Sequence, residues 1–435
     1  MGPLRLDASA PGFEGDFSAF LGRNRDTDEN VDRIVADIIA DVRARGDAAV
    51  LEYTKKFDKV DVDAKGLRIA RAEREKAAAK VPVAQREALE FAARRIEAFH
   101  RQLLPKDVDF TDATGTRLGA RYRPLESVGV YVPGGTAAYP SSVLMNIVPA
   151  KVAGVKRVVM VVPTPGGALN PLVMLAAGIA GADEVWRIGG AQAVAALAYG
   201  TQSIKPVDKI TGPGNAYVAA AKRRVFGQVG IDLIAGPSEI LVVADRQNDP
   251  AWIAADLLSQ AEHDASSQSV LIADDKAFAD AVARAVDDQL KTLPRGTIAG
   301  ASWRDNGAII LVSDVADCAP IVDRIAAEHV ELALEPGPAE ALSRKIAHAG
   351  AIFLGRYTPE AIGDYVAGTN HMLPTSRAAR FSGGLSVADF LKRTSIVACT
   401  PDALAQLGPA AVALADAEGM GAHGRSVSIR LNRRG

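Results

Sequence analysis

From residue 128 to residue 354 the chain repeats one pattern: a short aliphatic or β-branched run, a turn, then an alanine-rich stretch of helical length. The runs at 128–132, 157–162, 184–188, 208–210 and 231–234 form one series, and those at 240–243, 270–272, 308–312, 330–334 and 351–354 form a second. Strands separated by helices cannot close as hairpins. Each crossover brings the chain back in the same direction, so neighbouring strands run parallel. The pattern predicts an α/β fold with two mostly parallel sheets. Gly236-Pro237 and the stretch Tyr131-Val132-Pro133-Gly134-Gly135 are natural hinges, so residues 131–237 read as one unit inserted into another.

Upstream the period changes to helical. Val31, Ile34, Val35, Ile38, Ile39 and Val42 share one face of a helix that Gly46 ends, and Leu89, Ala92, Ala93, Ile96, Phe99 and Leu103 mark a second helix over 84–104. Residues 1–25, with Gly, Asp, Arg and scattered Phe, show no clear period and read as an arm lying on another domain or subunit. Beyond Phe381-Ser382-Gly383-Gly384, a helix over 404–418 and a closing strand over 426–431 are expected.

Hydrophobic residues make up 48% of the 435, enough for a large core without disulfides. Fifty Lys and Arg against 52 Asp and Glu, with no long run of either sign, argue against nucleic-acid or anionic-membrane partners. Cys318 and Cys399 lack any CxxC spacing and suit a reducing compartment. The apolar run at 158–162 ends at Pro163, far short of a membrane span, and the start of the chain lacks the apolar core of a signal peptide, so a cytoplasmic location is expected.

Three glycine clusters follow expected strands and precede expected helices: Pro133-Gly134-Gly135, Gly189-Gly190-Ala191-Gln192 and Gly212-Pro213-Gly214-Asn215. Backbone N–H groups in such turns can receive a phosphate. None completes G-x-G-x-x-G, because Tyr217 stands at the third glycine, although Asp232 lies about where a ribose-binding acid would sit. Of six histidines, His100 and His348 read as structural. His263 with Gln260, Glu328 beside His329, Asp364 near His371, and Glu418 near His423 occupy chemically plausible settings. His263, Asp364 and His423 make an N/N/O set that Zn²⁺ accepts. Chemistry alone does not nominate Gln260 as a ligand, since an amide oxygen is a weak donor to zinc. The residues by themselves imply an α/β enzyme with a nucleotide and a metal site.

These same residues carry a resemblance. Val130-Tyr131-Val132-Pro133-Gly134-Gly135, Tyr139-Pro140-Ser141-Ser142, Gly212-Pro213-Gly214-Asn215, Ala235-Gly236-Pro237-Ser238-Glu239, Ser259-Gln260-Ala261-Glu262-His263, Ala327-Glu328-His329, Gly368-Thr369-Asn370-His371-Met372-Leu373-Pro374 and Phe390-Leu391-Lys392-Arg393-Thr394 occur in the order found in the histidinol dehydrogenases, over nearly the whole chain. The resemblance implies four-electron oxidation of L-histidinol to L-histidine through L-histidinaldehyde, the last step of histidine biosynthesis, with NAD and zinc. Carried over by motif, Gln260, His263, Asp364 and His423 would bind zinc, and Glu328 and His329 would be catalytic. Ser238, His371 and Glu418 would hold substrate together with Gln260, His263, His329, Asp364 and His423. Tyr131, Gln192 and Asn215 would lie along NAD.

The resemblance further implies two Rossmann-like domains, one inserted in the other, with N-terminal and C-terminal extensions. Their expected bounds are an arm over 1–25, a main domain over 26–130 and 238–385 holding the zinc and catalytic residues, an inserted NAD domain over 131–237, and a segment over 386–435 exchanged between the subunits of a homodimer. Arg377 and Ala388 depart from the family pattern but are not among the named ligands. A paralogue acting on another small alcohol would keep the zinc and NAD residues and change Ser238, His371 or Glu418. A non-catalytic binder would have lost Glu328 or His329. All five are present.

Overall fold

The computed structural model describes residues 2–22, 29–134, 139–234 and 236–431. Met1, residues 23–25 of the expected arm, Gly135 and Ala235 lie outside the described residues.

Strands β1 (Leu4–Asp7), β9 (Glu239–Ala244), β10 (Gln268–Ala273), β11 (Ala308–Leu311), β12 (His329–Ala333) and β13 (Ala351–Leu354) form a six-stranded sheet. Its order is β1-β11-β10-β9-β12-β13, parallel throughout. Every residue of β9 and β10 is buried, as expected for a sheet covered on both faces. Along β9, Ile240 and Val242 pack with Ile253 and Leu257, while Leu241 and Val243 face Phe17 and Val322.

Strands β4 (Ser127–Tyr131), β5 (Arg157–Val161), β6 (Glu184–Trp186), β7 (Lys209–Thr211) and β8 (Gly230–Ile231) make a five-stranded parallel sheet in the order β6-β5-β4-β7-β8. In both sheets the winding reverses beside the first strand of the series, β9 or β4. That reversal opens a crevice at the strands' C-terminal ends. A third, antiparallel sheet of β2 (Val108–Thr111), β3 (Arg117–Pro124) and β14 (Leu391–Ala398) is mostly exposed.

Three expectations are corrected. The described N-terminal residues are part of the six-stranded sheet: β1 pairs with β11, and the helix Phe13–Leu21 buries Phe13, Phe17 and Phe20. Their i, i+4, i+7 spacing is a helical face. The helices from 29 to 102 pack on the five-stranded sheet, not with the six-stranded one; Val35, Ile38 and Val42 join Val159 and Val161 on one face, and Ala92 and Ile96 join Val158 and Met160 on the other. Backbone bonds from Ile69 to Val185 and from Arg187 to Leu67 tie this region to the sheet edge beside β6. Finally, the expected strand 426–431 is the end of a helix, Gly421–Leu431, packed on the helix Pro401–Ala417. The alternating Val427, Ile429 and Leu431 look strand-like, but Val427 and Leu431 also satisfy i, i+4 and have a helix to pack on.

Asp232 is not available to a ribose. It forms a buried ion pair with Lys222, whose ammonium also donates to the Gly212 carbonyl at 2.9 Å, while Asp232 accepts the Gly212 N–H at 2.8 Å. The pair clamps both sides of Gly212, whose φ of 113° and close approach to the Tyr131 carbonyl exclude a side chain. Lys222→Met would strand a buried carboxylate, and urea unfolding is expected to show a loss of about 3–5 kcal/mol. A loss below about 1 kcal/mol would contradict that role for the pair.

Candidate active site

Local chemistry brings three elements to the N-terminal edge of the six-stranded sheet. The helix Pro250–Ala261 starts with Asp249 accepting the Ala251 N–H and Pro250 in its first turn. Ile253, Ala254, Leu257, Leu258 and Ala261 bury one face, and Gln260 is fully buried with them. At its far end Arg295 donates to the carbonyls of Glu262 at 2.8 Å and His263 at 3.1 Å, satisfying exposed acceptors with a cation. Strand β12 opens with His329, and Ala351 of β13 donates to the Glu328 carbonyl at 2.9 Å. A Cβ on Gly350 would collide with that carbonyl, so only glycine lets the strands close there. The helix Glu360–Tyr365 then returns along the sheet with Glu360 and Asp364 one turn apart.

At the centre is His329, 3% exposed. Its Nδ1–H donates to the Glu239 carbonyl at 3.0 Å, so in the neutral ring Nε2 carries the lone pair. That Nε2 is buried without a hydrogen-bond partner, 3.6 Å from Asp364 Oδ1 and 3.7 Å from Glu360 Oε1. Glu328 Oε2 accepts the Glu239 N–H at 3.0 Å and lies 3.6 Å from His329 Nδ1. His263 Nδ1 meets Ser238 Oγ at 3.2 Å. His371 Nδ1–H donates to the Asp364 carbonyl at 2.9 Å, leaving Nε2 to accept from Ser142 Oγ at 3.2 Å. Ser142 lies in the first turn of Pro140–Ala153, the helix that follows β4. This connection joins the N-terminal edge of one sheet to the C-terminal crevice of the other.

Burial pushes the Glu328 carboxyl up to about 8. Burial alone would lower His329, but Glu328, Asp364 and Glu360 outweigh it and raise the imidazole to about 10. Asp364 is half-buried, which would raise its carboxyl, yet His329 and His371 hold it well below the usual carboxylate range. Burial raises Glu360 to about 7. Behind it, burial raises Asp256 to about 6, and burial together with Asp256 raises Glu331 well above its ordinary value. His263 keeps contact with solvent, while the protein packed beneath its ring lowers its pKa.

This excess of carboxyls around one imidazole favours a cation. His329, Glu360 and Asp364 each bring one ligand atom within 4.8 Å of the others, and both polar atoms of the Gln260 amide are buried and unpartnered. Nitrogen and oxygen donors of this kind fit a borderline divalent ion.

Seven expected residues therefore gather in this region: Ser238, Gln260, His263, Glu328, His329, Asp364 and His371. Glu418 and His423 do not join them; both are exposed on the C-terminal helical hairpin, and no hydrogen bond or ion pair among the described residues ties them to the group. Tyr131, Gln192 and Asn215 lie at the C-terminal edge of the five-stranded sheet. The Tyr131 hydroxyl accepts the Gly190 N–H at 3.0 Å, Gln192 is buried with Oε1 unpartnered, and Asn215 caps the helix Ala216–Val225. Sequence reasoning missed Glu239, whose backbone orients both Glu328 and His329, and it missed Glu360. A carboxylate four residues before Asp364 was the available signal for the latter.

A family model described as histidinol dehydrogenase matches residues 21–431. The chain belongs to the histidinol dehydrogenase family. Histidinol dehydrogenases of Rhodospirillum rubrum and Ruegeria pomeroyi are each 62% identical to it, over 99% of both chains. A crystal structure of histidinol dehydrogenase from Elizabethkingia anophelis superposes with a TM-score of 0.93 at 35% identity, covering 99% of this chain and 98% of that one. The chain is thus a member of an oxidoreductase family, in an α/β fold shared with a solved histidinol dehydrogenase.

Proposed function

We propose that this chain oxidises L-histidinol to L-histidine through L-histidinaldehyde, with zinc held by Gln260, His263, Asp364 and a His423 supplied by a second copy. The observation that carries the reading is the buried, unpartnered Nε2 of His329 beside Asp364. When bound, zinc would hold and orient the substrate and NAD would take the hydride. NAD would lie in the crevice between β4 and β7, along Tyr131, Gln192 and Asn215; the reversal of strand order there and the Ser142–His371 link between the two sheets support this reading.

With Nδ1–H held by the Glu239 carbonyl, the neutral His329 imidazole presents Nε2 to accept the alcohol proton. Glu328, fixed by the Glu239 N–H, activates water for the aldehyde step. A thiohemiacetal route has no support, because burial pushes the Cys318 thiol up to about 12 and the exposed Cys399 thiol lies against the Thr116 hydroxyl at 3.9 Å, which is no activating base. Ser238, His371 and Glu418 complete the substrate contacts.

Exposed Val108, Phe110, Val397, Leu407, Leu414 and Ile429 on the antiparallel sheet and helical hairpin support a homodimer in which this segment crosses to the partner. No helix among the described residues is long and apolar enough to cross a membrane, and two unpaired thiols support a cytoplasmic setting. Chelation is expected to abolish activity and Zn²⁺ to restore it, with about one zinc per chain by metal analysis. Full activity in metal-free protein would overturn the metal assignment.

A further inference from the structure

We propose that Glu360 is a positioning residue that turns the Gln260 amide so that its oxygen, not its nitrogen, is left for the metal. This rests on the zinc reading above. A glutamine is an ambiguous ligand: its two amide ends have nearly the same shape, but only the oxygen can bind a cation. Gln260 is fully buried, with both Nε2 and Oε1 lacking a hydrogen bond. Something beside it has to select the orientation.

Glu360 is the candidate the geometry supplies. It is 1% exposed, and its Oε2 accepts from Ser259 Oγ at 2.9 Å, the residue next to Gln260. Its Oε1 is buried and unpartnered. The Gln260 amide lies close enough to help hold the Glu360 proton affinity down, although no hydrogen bond closes between them. The Glu360 N–H donates to Glu331 Oε2 at 3.2 Å, which fixes the start of the helix. In its ionised form Glu360 only accepts, so the amide end that turns toward it is Nε2, and Oε1 remains for the metal. The same contact polarises the amide and strengthens a weak donor oxygen.

The test is Zn²⁺ affinity, measured by competition with a chromophoric chelator on metal-stripped protein. Glu360→Met is expected to weaken zinc binding about 10–100-fold, and Glu360→Gln, which keeps an acceptor oxygen, by less. The decisive comparison uses Gln260→Glu, whose carboxylate presents oxygen in either orientation. In that background Glu360→Met is expected to cost no zinc affinity. Ser259→Ala, which removes only the link between the two helices, is expected to leave affinity within about twofold.

Equal losses from Glu360→Met in both backgrounds, or from Ser259→Ala and Glu360→Met alike, would show a merely structural role and overturn the proposal. So would unchanged affinity in Glu360→Met. If Glu360→Met does not fold by circular dichroism, the same comparison is made with Glu360→Gln, and an equal loss in both backgrounds again overturns it. Failure of the unmodified protein to bind zinc would instead overturn the underlying metal assignment.

Discussion

Replacing His329 with Asn is expected to lower oxidation of both histidinol and histidinaldehyde by about 10²–10⁴-fold, the range typical of losing a positioned general base. Asn keeps a side-chain donor that can reach the Glu239 carbonyl but removes the Nε2 lone pair. The ring is 3% exposed, so no bulk water replaces it at that position. Glu328→Gln is expected to separate the half-reactions, because only aldehyde oxidation consumes water. Its kcat should fall more with histidinaldehyde than with histidinol when each is supplied separately. Equal losses in both half-reactions would remove the water-activating role from Glu328, and near-normal rates for His329→Asn would remove His329 from the chemistry.

Two inactive variants are expected to restore each other. His263 meets Ser238 at the edge of the six-stranded sheet, whereas His423 lies on a helical hairpin with no hydrogen bond or ion pair to that edge among the described residues. If the hairpin serves the partner, His263→Ala and His423→Ala homodimers should each be nearly inactive. A mixed dimer would then carry both defects in one site and neither in the other. Random pairing of equal amounts makes about half the dimers mixed, so roughly a quarter of full activity should return. The chains are best co-expressed, since intertwined subunits exchange slowly. Mixed dimers isolated with two affinity tags and found inactive would contradict independent sites shared between chains.

The parallel sheets were legible because their central strands are short aliphatic runs, and burial on both faces there leaves no competing pattern. Residues 240–243 show this, since they fall within the fully buried strand Glu239–Ala244. Strands β2 and β14 escaped notice because their residues are mostly exposed, so no core imposes an alternation. The final helix was misread because a six-residue alternation is ambiguous until a packing partner is known. Within the site, histidines and acids stood out by residue type. Glu239 did not, because its backbone N–H and carbonyl orient Glu328 and His329, and backbone roles leave little trace in residue identity. Asp232 was misleading for the opposite reason: its spacing fitted a cofactor acid, while Lys222 had already engaged it.

The most direct measurement is the yield of NADH from L-histidinol by zinc-loaded protein, followed to completion with the acid product quantified. Alcohol-to-acid oxidation removes four electrons and each NAD accepts two, so about two NADH and one L-histidine are expected per histidinol consumed. One NADH with accumulating aldehyde would contradict the second oxidation. No NADH from folded, zinc-loaded protein would contradict the proposed reaction altogether.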